Sequence, residues 1–96
     1  MASGGADLGA RDAFLLKLHE EQLRKKFKHA IEFGVRDRPS RSGLEAFAAA
    51  VRAHAADGDT VVLRATFRGN LPVVLFVGRT NNLMVMALES GLFLSC

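Results

Sequence analysis

The chain has 96 residues, a formal net charge of +3, 49% hydrophobic residues, a single cysteine, and neither tryptophan nor tyrosine. That length supports one domain with one modest core, and the composition excludes a disordered chain. Cys96 alone cannot form an intrachain disulfide or a cysteine-based zinc site, which suits a reducing compartment.

In chain order, residues 1–10 are rich in Gly and Ala and are expected to be disordered, leaving 11–96 as one domain. They lack the basic and apolar regions of a signal peptide, and no apolar run approaches the ~20 residues of a membrane span. The expected location is cytoplasmic, with no membrane partner. A helix is predicted from Asp12 as N-cap to about Phe33. Leu16, Leu23, Phe27, Ala30 and Ile31 would form its apolar side, and Gly34 would stop it. At 100° per residue, His29 points about 160° away from Phe27, toward solvent or a ligand. Residues 36–43 read as a loop. A second helix is predicted from Leu44 to about Ala56, with Leu44, Phe47, Ala48, Val51 and Ala55 as its stripe. Strands are predicted at 60–67, 73–77, 83–88 and 92–95, joined by short turns that favour antiparallel neighbours. The fold class is α+β, with two N-terminal helices packed on a four-stranded antiparallel sheet.

Charge is unevenly spread. Seven of the thirteen basic residues lie between Arg24 and Arg41, opposed only by Glu32 and Asp37. Such a field attracts phosphate chains. Its densest part is Lys25-Lys26-Phe27-Lys28-His29. An imidazole that titrates near neutral pH, set among ammonium groups, suits metal-free RNA cleavage. A base takes the 2'-hydroxyl proton and the 2'-oxygen attacks phosphorus. The 5'-oxygen then leaves, giving a 2',3'-cyclic phosphate and a 5'-hydroxyl. Proton transfer by a positioned imidazole contributes roughly 10²–10⁴-fold, and cationic donors around the phosphorane stabilise its charge. Of the other histidines, His19 reads as a solvated helix residue and His54 as half-buried structure. No P-loop, zinc-protease motif or nucleophile elbow occurs. Neither a metal nor a cofactor is expected.

Lys25 to Ala30, followed by Glu32-Phe33-Gly34-Val35, resembles the start of the nuclease domain of the colicin D family. The similarity continues through Ala53-His54 to Asp59-Thr60 and ends in Gly91-Leu92-Phe93-Leu94-Ser95. His29 and Ser95 stand 66 positions apart, in keeping with that family. The resemblance covers about residues 21–96. It implies a small metal-free ribonuclease architecture, RelE-like and colicin D-like, and a toxin that cleaves tRNA in the anticodon loop, with arginine tRNAs as the target class. It also implies an acidic immunity or antitoxin protein as partner, since charge complementarity speeds association.

The resemblance assigns roles residue by residue. His29 is the catalytic histidine. Lys26 and Lys28 bind and neutralise the scissile phosphate; apart from the resemblance, Lys28 is also the candidate acid for the leaving oxygen. Ser95 places the substrate or bonds the phosphate. From their charge and place in the chain, and not from the resemblance, Lys25, Arg36, Arg38, Arg41, Arg64, Arg68 and Arg79 are candidate substrate-binding residues. The family's active-site tryptophan has no counterpart here, so a base-stacking surface would have to come from Phe67, Phe76 or Phe93. Two other readings fit the same residues: a ribosome-dependent toxin that cuts mRNA, and a non-catalytic RNA-binding module descended from a toxin.

Overall fold

The computed structural model describes residues 16–96. The expected disordered segment and the helix start at Asp12 lie outside those residues. In chain order come α1 (Glu20–Lys25), a 3-10 segment (Phe27–Phe33), α2 (Arg41–Ala56), and strands β1 (Thr60–Phe67), β2 (Leu71–Gly78), β3 (Met84–Leu88) and β4 (Phe93–Ser95).

The first predicted helix is corrected at both ends. Residues 16–18 are not helical. Lys17 makes a parallel bridge to Leu92, with its N–H on the Gly91 carbonyl at 2.8 Å and its carbonyl accepting from Phe93 N–H at 3.1 Å. The stretch therefore lines the outer edge of β4. His19 is the N-cap of α1 rather than a residue within it. After six residues α1 breaks at Lys26 (φ −102°, ψ 7°), and the chain tightens to the 3-10 form.

Packing explains the tightening. With three residues per turn, Phe27, Ala30 and Phe33 fall in one row. That row meets α2. The rings of Phe27 and Phe33 lie 5.6 and 6.2 Å from that of Phe47, and Phe33 is 5.7 Å from the His54 ring. Continued α winding would carry Phe33 about 120° off the row. Ile31, expected on the apolar side, is 57% exposed for the same reason. Gly34 ends the segment as expected, at φ 87°, in the left-handed region that glycine enters cheaply.

α2 begins at Arg41, three residues before the predicted Leu44. Ser40 caps it, its hydroxyl oxygen accepting from Gly43 N–H. Leu44, Phe47, Val51 and Ala55 are buried against the sheet and the 3-10 row. His54 is buried rather than half-buried.

The sheet is antiparallel with strand order β1-β2-β3-β4. β2 is longer than predicted, and Leu92 bridges Lys17 instead of starting β4. Arg68 (φ 52°) and Gly69 (φ 91°) turn β1 into β2. Val74, Phe76, Val85, Ala87 and Phe93 face the helices and complete the core. The pairs Met86↔Ser95 and Ala87↔Phe93 leave one extra residue, Leu94, on β4. This bulge shifts the alternation of side chains just before the chain's last two residues. No helix among the described residues is long and apolar enough to cross a membrane.

Candidate active site

The same period of three that packs Phe27, Ala30 and Phe33 makes a second row of Lys26, His29 and Glu32. This row flanks the core contact instead of opposing it. Accordingly, the His29 side chain is partly covered, 29% exposed, and Nδ1 lies 3.3 Å from Glu32 Oε2. Lys28 and Ile31 form the third row, which is open to solvent.

The end of β4 lies within electrostatic reach of the second row. Burial and, after it, the Glu32 carboxylate push the Cys96 thiol up to about 11, with the Lys26 ammonium partly offsetting both. Charges on Lys26 and Glu32 are thus felt at the residue next to Ser95. Gln22 of α1 secures the corner from the other side. Its Nε2 donates to the carbonyl of Leu94, the extra residue of the bulge. A bulge takes one residue out of regular ladder pairing; Gln22 supplies the partner.

A second tether holds the basic loop. Arg24 donates from Nη1 to the Pro39 carbonyl at 3.0 Å and from Nη2 to Glu20 at 2.8 Å. Arg36, Arg38 and Arg41 are exposed in and beside this loop, and Lys25 is exposed on α1. The remaining sequence candidates are elsewhere. Arg64 and Arg68 belong to β1 and its turn, at the opposite edge of the sheet from β4, or three strand spacings of ~4.8 Å. Arg64 pairs with Glu89 at 2.8 Å, and Arg68 stacks on Phe67 at 5.1 Å. Arg79 lies in the β2–β3 turn, its N–H on the Asp59 carbonyl. Phe76 and Phe93 are core residues, each 1% exposed, and give no stacking surface. Phe67 is half-buried beneath Arg68.

Glu32, Gln22 and Arg24 were not singled out by the sequence. Glu32 was legible in principle, three residues after His29, had the period been taken as three. Gln22 and Arg24 gave no signal, because their partners are 72 and 15 residues away.

Chemically, an imidazole whose Nδ1 donates to a carboxylate keeps Nε2 as the proton acceptor. Lys26, on the same row as His29, is an ammonium that can meet an anionic oxygen, and Ser95 stands at the end of β4, paired with Met86. Among the described residues, no three His, Cys, Asp or Glu side chains are grouped to hold a metal ion.

The model of the colicin D family matches residues 22–96. This chain belongs to the colicin D family. The colicin D match begins at Gln22 and takes in His29, Glu32, the basic loop and Ser95. Among solved structures, the chain is similar to a ribonuclease from Escherichia coli complexed with its inhibitor protein. The two share 35% identity over 77% of this chain and 79% of that one, with a TM-score of 0.69. The structural likeness agrees with helices packed on a four-stranded antiparallel sheet. No curated protein sequence matches.

Proposed function

We propose that this chain is a metal-independent endoribonuclease toxin that cleaves tRNA in the anticodon loop, in the arginine-tRNA class. Membership of the colicin D family and the ribonuclease neighbour support ribonuclease activity and a toxin role. The observation that carries the reading is the corner itself, where a partly exposed imidazole is tied to a carboxylate on the row it shares with Lys26, within electrostatic reach of the end of β4.

In this reading, Glu32 holds His29 so that Nε2 accepts the proton of the 2'-hydroxyl. The 2'-oxygen forms its bond to phosphorus as the bond to the 5'-oxygen breaks. Lys26, Lys28 and the Ser95 hydroxyl bind the phosphate oxygens as charge builds there. Lys28, on the solvent row, gives its proton to the departing 5'-oxygen. The products are a 2',3'-cyclic phosphate and a 5'-hydroxyl. A single-stranded loop suits the site because its bases and backbone can be splayed. An acidic immunity protein is the expected partner, and the neighbour's complex with an inhibitor supports it. The activity would be exerted where tRNA is found, in the cytoplasm.

The test is incubation with total tRNA in EDTA, with end mapping. Cyclic-phosphate and 5'-hydroxyl ends in an anticodon loop are expected, and are lost in His29→Ala. Intact tRNA at high enzyme, or cleavage indifferent to His29→Ala, rejects the reading. Cleavage of mRNA on ribosomes, with free tRNA untouched, replaces it with the ribosome-dependent alternative.

A further inference from the structure

We propose that the loop carrying Arg36 and Arg38 is a preformed clamp for RNA phosphates flanking the cut, held beside the site by Arg24 as a positioning residue. The proposal rests on the ribonuclease reading for its substrate, and extends it to how RNA beyond the broken bond is bound.

The loop is built rather than slack. The Arg38 carbonyl accepts from Ser40 N–H at 2.7 Å and faces the Ser40 hydroxyl at 3.4 Å. The Ser40 oxygen in turn caps α2 at Gly43 N–H, 3.3 Å away. A Cβ on Gly43 would stand 1.7 Å from the Arg38 carbonyl oxygen, so only glycine lets the loop close this tightly on the helix. From the other side, one Arg24 guanidinium bridges Glu20 and the Pro39 carbonyl. That contact closes a ring of chain from 24 to 39 that also contains Lys25, Lys26, Lys28 and His29.

The loop's cations are left unspent. Arg36 and Arg38 are exposed and make no ion pair among the described residues. Arg41 reaches Glu45 only at 3.9 Å, with both side chains open to solvent. A solvated basic loop needs no such scaffolding. A loop that must present guanidinium groups at fixed spacing from a reacting phosphate does, because bidentate recognition depends on geometry.

The experiment compares wild type with an Arg36→Gln, Arg38→Gln double variant and with Arg24→Gln. RNA binding is read over a salt series and cleavage as kcat and KM. Losing two single-strand phosphate contacts should flatten the salt slope by about 1.4, at ~0.7 per contact. KM for tRNA should rise about tenfold in the double variant, with kcat within about twofold, as expected for lost uniform binding. Arg24→Gln should raise KM by about threefold and speed tryptic cutting after Arg36, since the Pro39 tether is gone. Trypsin does not cut Arg38–Pro39, so the site at Arg36 reports the loop. If the double variant binds with the wild-type salt slope, the clamp is rejected. If tryptic cutting is unchanged in Arg24→Gln, the positioning role is rejected. If His29→Ala abolishes cleavage while the double variant binds and cuts like wild type, the clamp falls and the ribonuclease stands. If wild type leaves RNA intact but binds it with a slope that the double variant loses, the ribonuclease falls and the clamp stands.

Discussion

The corner around His29 and the junction around His54 use similar parts: an imidazole on a helical element, phenylalanine neighbours and a strand. At the junction the ring is 6% exposed. Its Nε2 lies 3.0 Å from the Phe76 carbonyl of β2, it meets the Phe33 ring in a T-shaped contact, and its own carbonyl accepts from the Thr60 hydroxyl at 2.7 Å. Nε2 and the backbone carbonyl are both spent on joining α2 to the sheet. At the corner the side chain is 29% exposed, and its partner is a carboxylate that is itself 55% exposed. An imidazole held by one nitrogen and uncommitted at the other can work on a ligand; one locked between a backbone carbonyl and an aromatic ring cannot. Partner and exposure separate the two, where residue type does not.

Crossed substitutions should break the comparison most sharply. His29→Ala is expected to cut kcat by about 10²–10⁴-fold, while stability changes by less than about 1 kcal/mol, the scale of an exposed pair. His54→Ala should do the reverse. It leaves the Phe76 carbonyl without that partner and opens a void beside Phe33, at about 2–4 kcal/mol. Its kcat per folded molecule should stay within a few-fold. Urea unfolding and single-turnover cleavage read the two axes. If His54→Ala loses activity without losing stability, the division of labour is wrong.

Glu32→Gln tests what makes the corner different. The amide still accepts from Nδ1–H but no longer stabilises an imidazolium. We expect kcat to fall about tenfold, at ~1.4 kcal/mol in the transition state, with KM nearly unchanged. A loss in Glu32→Gln that persists in full when His29→Ala is already present would mean that Glu32 does not act through His29.

Gln22→Leu probes the corner's frame. It removes the donor to the Leu94 carbonyl, and a partly buried carbonyl without that bond costs about 1–2 kcal/mol. If the bulge sets the position of Ser95, kcat should fall by about fivefold at temperatures where the protein is fully folded. Normal kcat in a destabilised Gln22→Leu protein would confine the bond to a structural role.

The same contrast explains what the sequence reveals. The sheet was legible because Thr60–Phe67 and Met84–Leu88 are β-branched or apolar runs between turn residues, and short turns leave little choice of topology. The stripe of α2 was legible for a similar reason: Leu44, Phe47, Val51 and Ala55 repeat at helical spacing. The first helix was misread because periods of 3 and 3.6 agree over Phe27 and Ala30 and diverge only at Ile31 and Phe33. Which residue faces inward was then decided by Phe47, contributed from another helix. The Lys26–His29 part of the site was visible as a basic run. Its Glu32 partner required the correct winding, and Gln22 required a contact between the two ends of the domain. The extension from Leu44 back to Arg41 came from the Ser40 cap, a signal weighed as loop because of its neighbours Pro39 and Ser42.

The smallest expected effect reads the corner directly, through Cys96. A thiol raised from 9.0 to about 11 carries about 100-fold less thiolate at pH 8 than an ordinary cysteine. The rarer thiolate is also more nucleophilic, and with a Brønsted slope near 0.5 that returns roughly tenfold. Iodoacetamide should therefore modify native Cys96 about tenfold more slowly than the same thiol in urea. Glu32→Gln should speed the native reaction by removing a charge that raises the thiol, and Lys26→Met should slow it by removing the one that lowers it. Because the folded value lies above the unfolded one, the neutral thiol's contribution to stability is complete below about pH 9 and is lost as pH rises through 11. Cys96→Ser should flatten that alkaline loss. If neither charge substitution moves the alkylation rate, Lys26 and Glu32 do not converge on the end of β4, and the corner that distinguishes His29 from His54 is not assembled there.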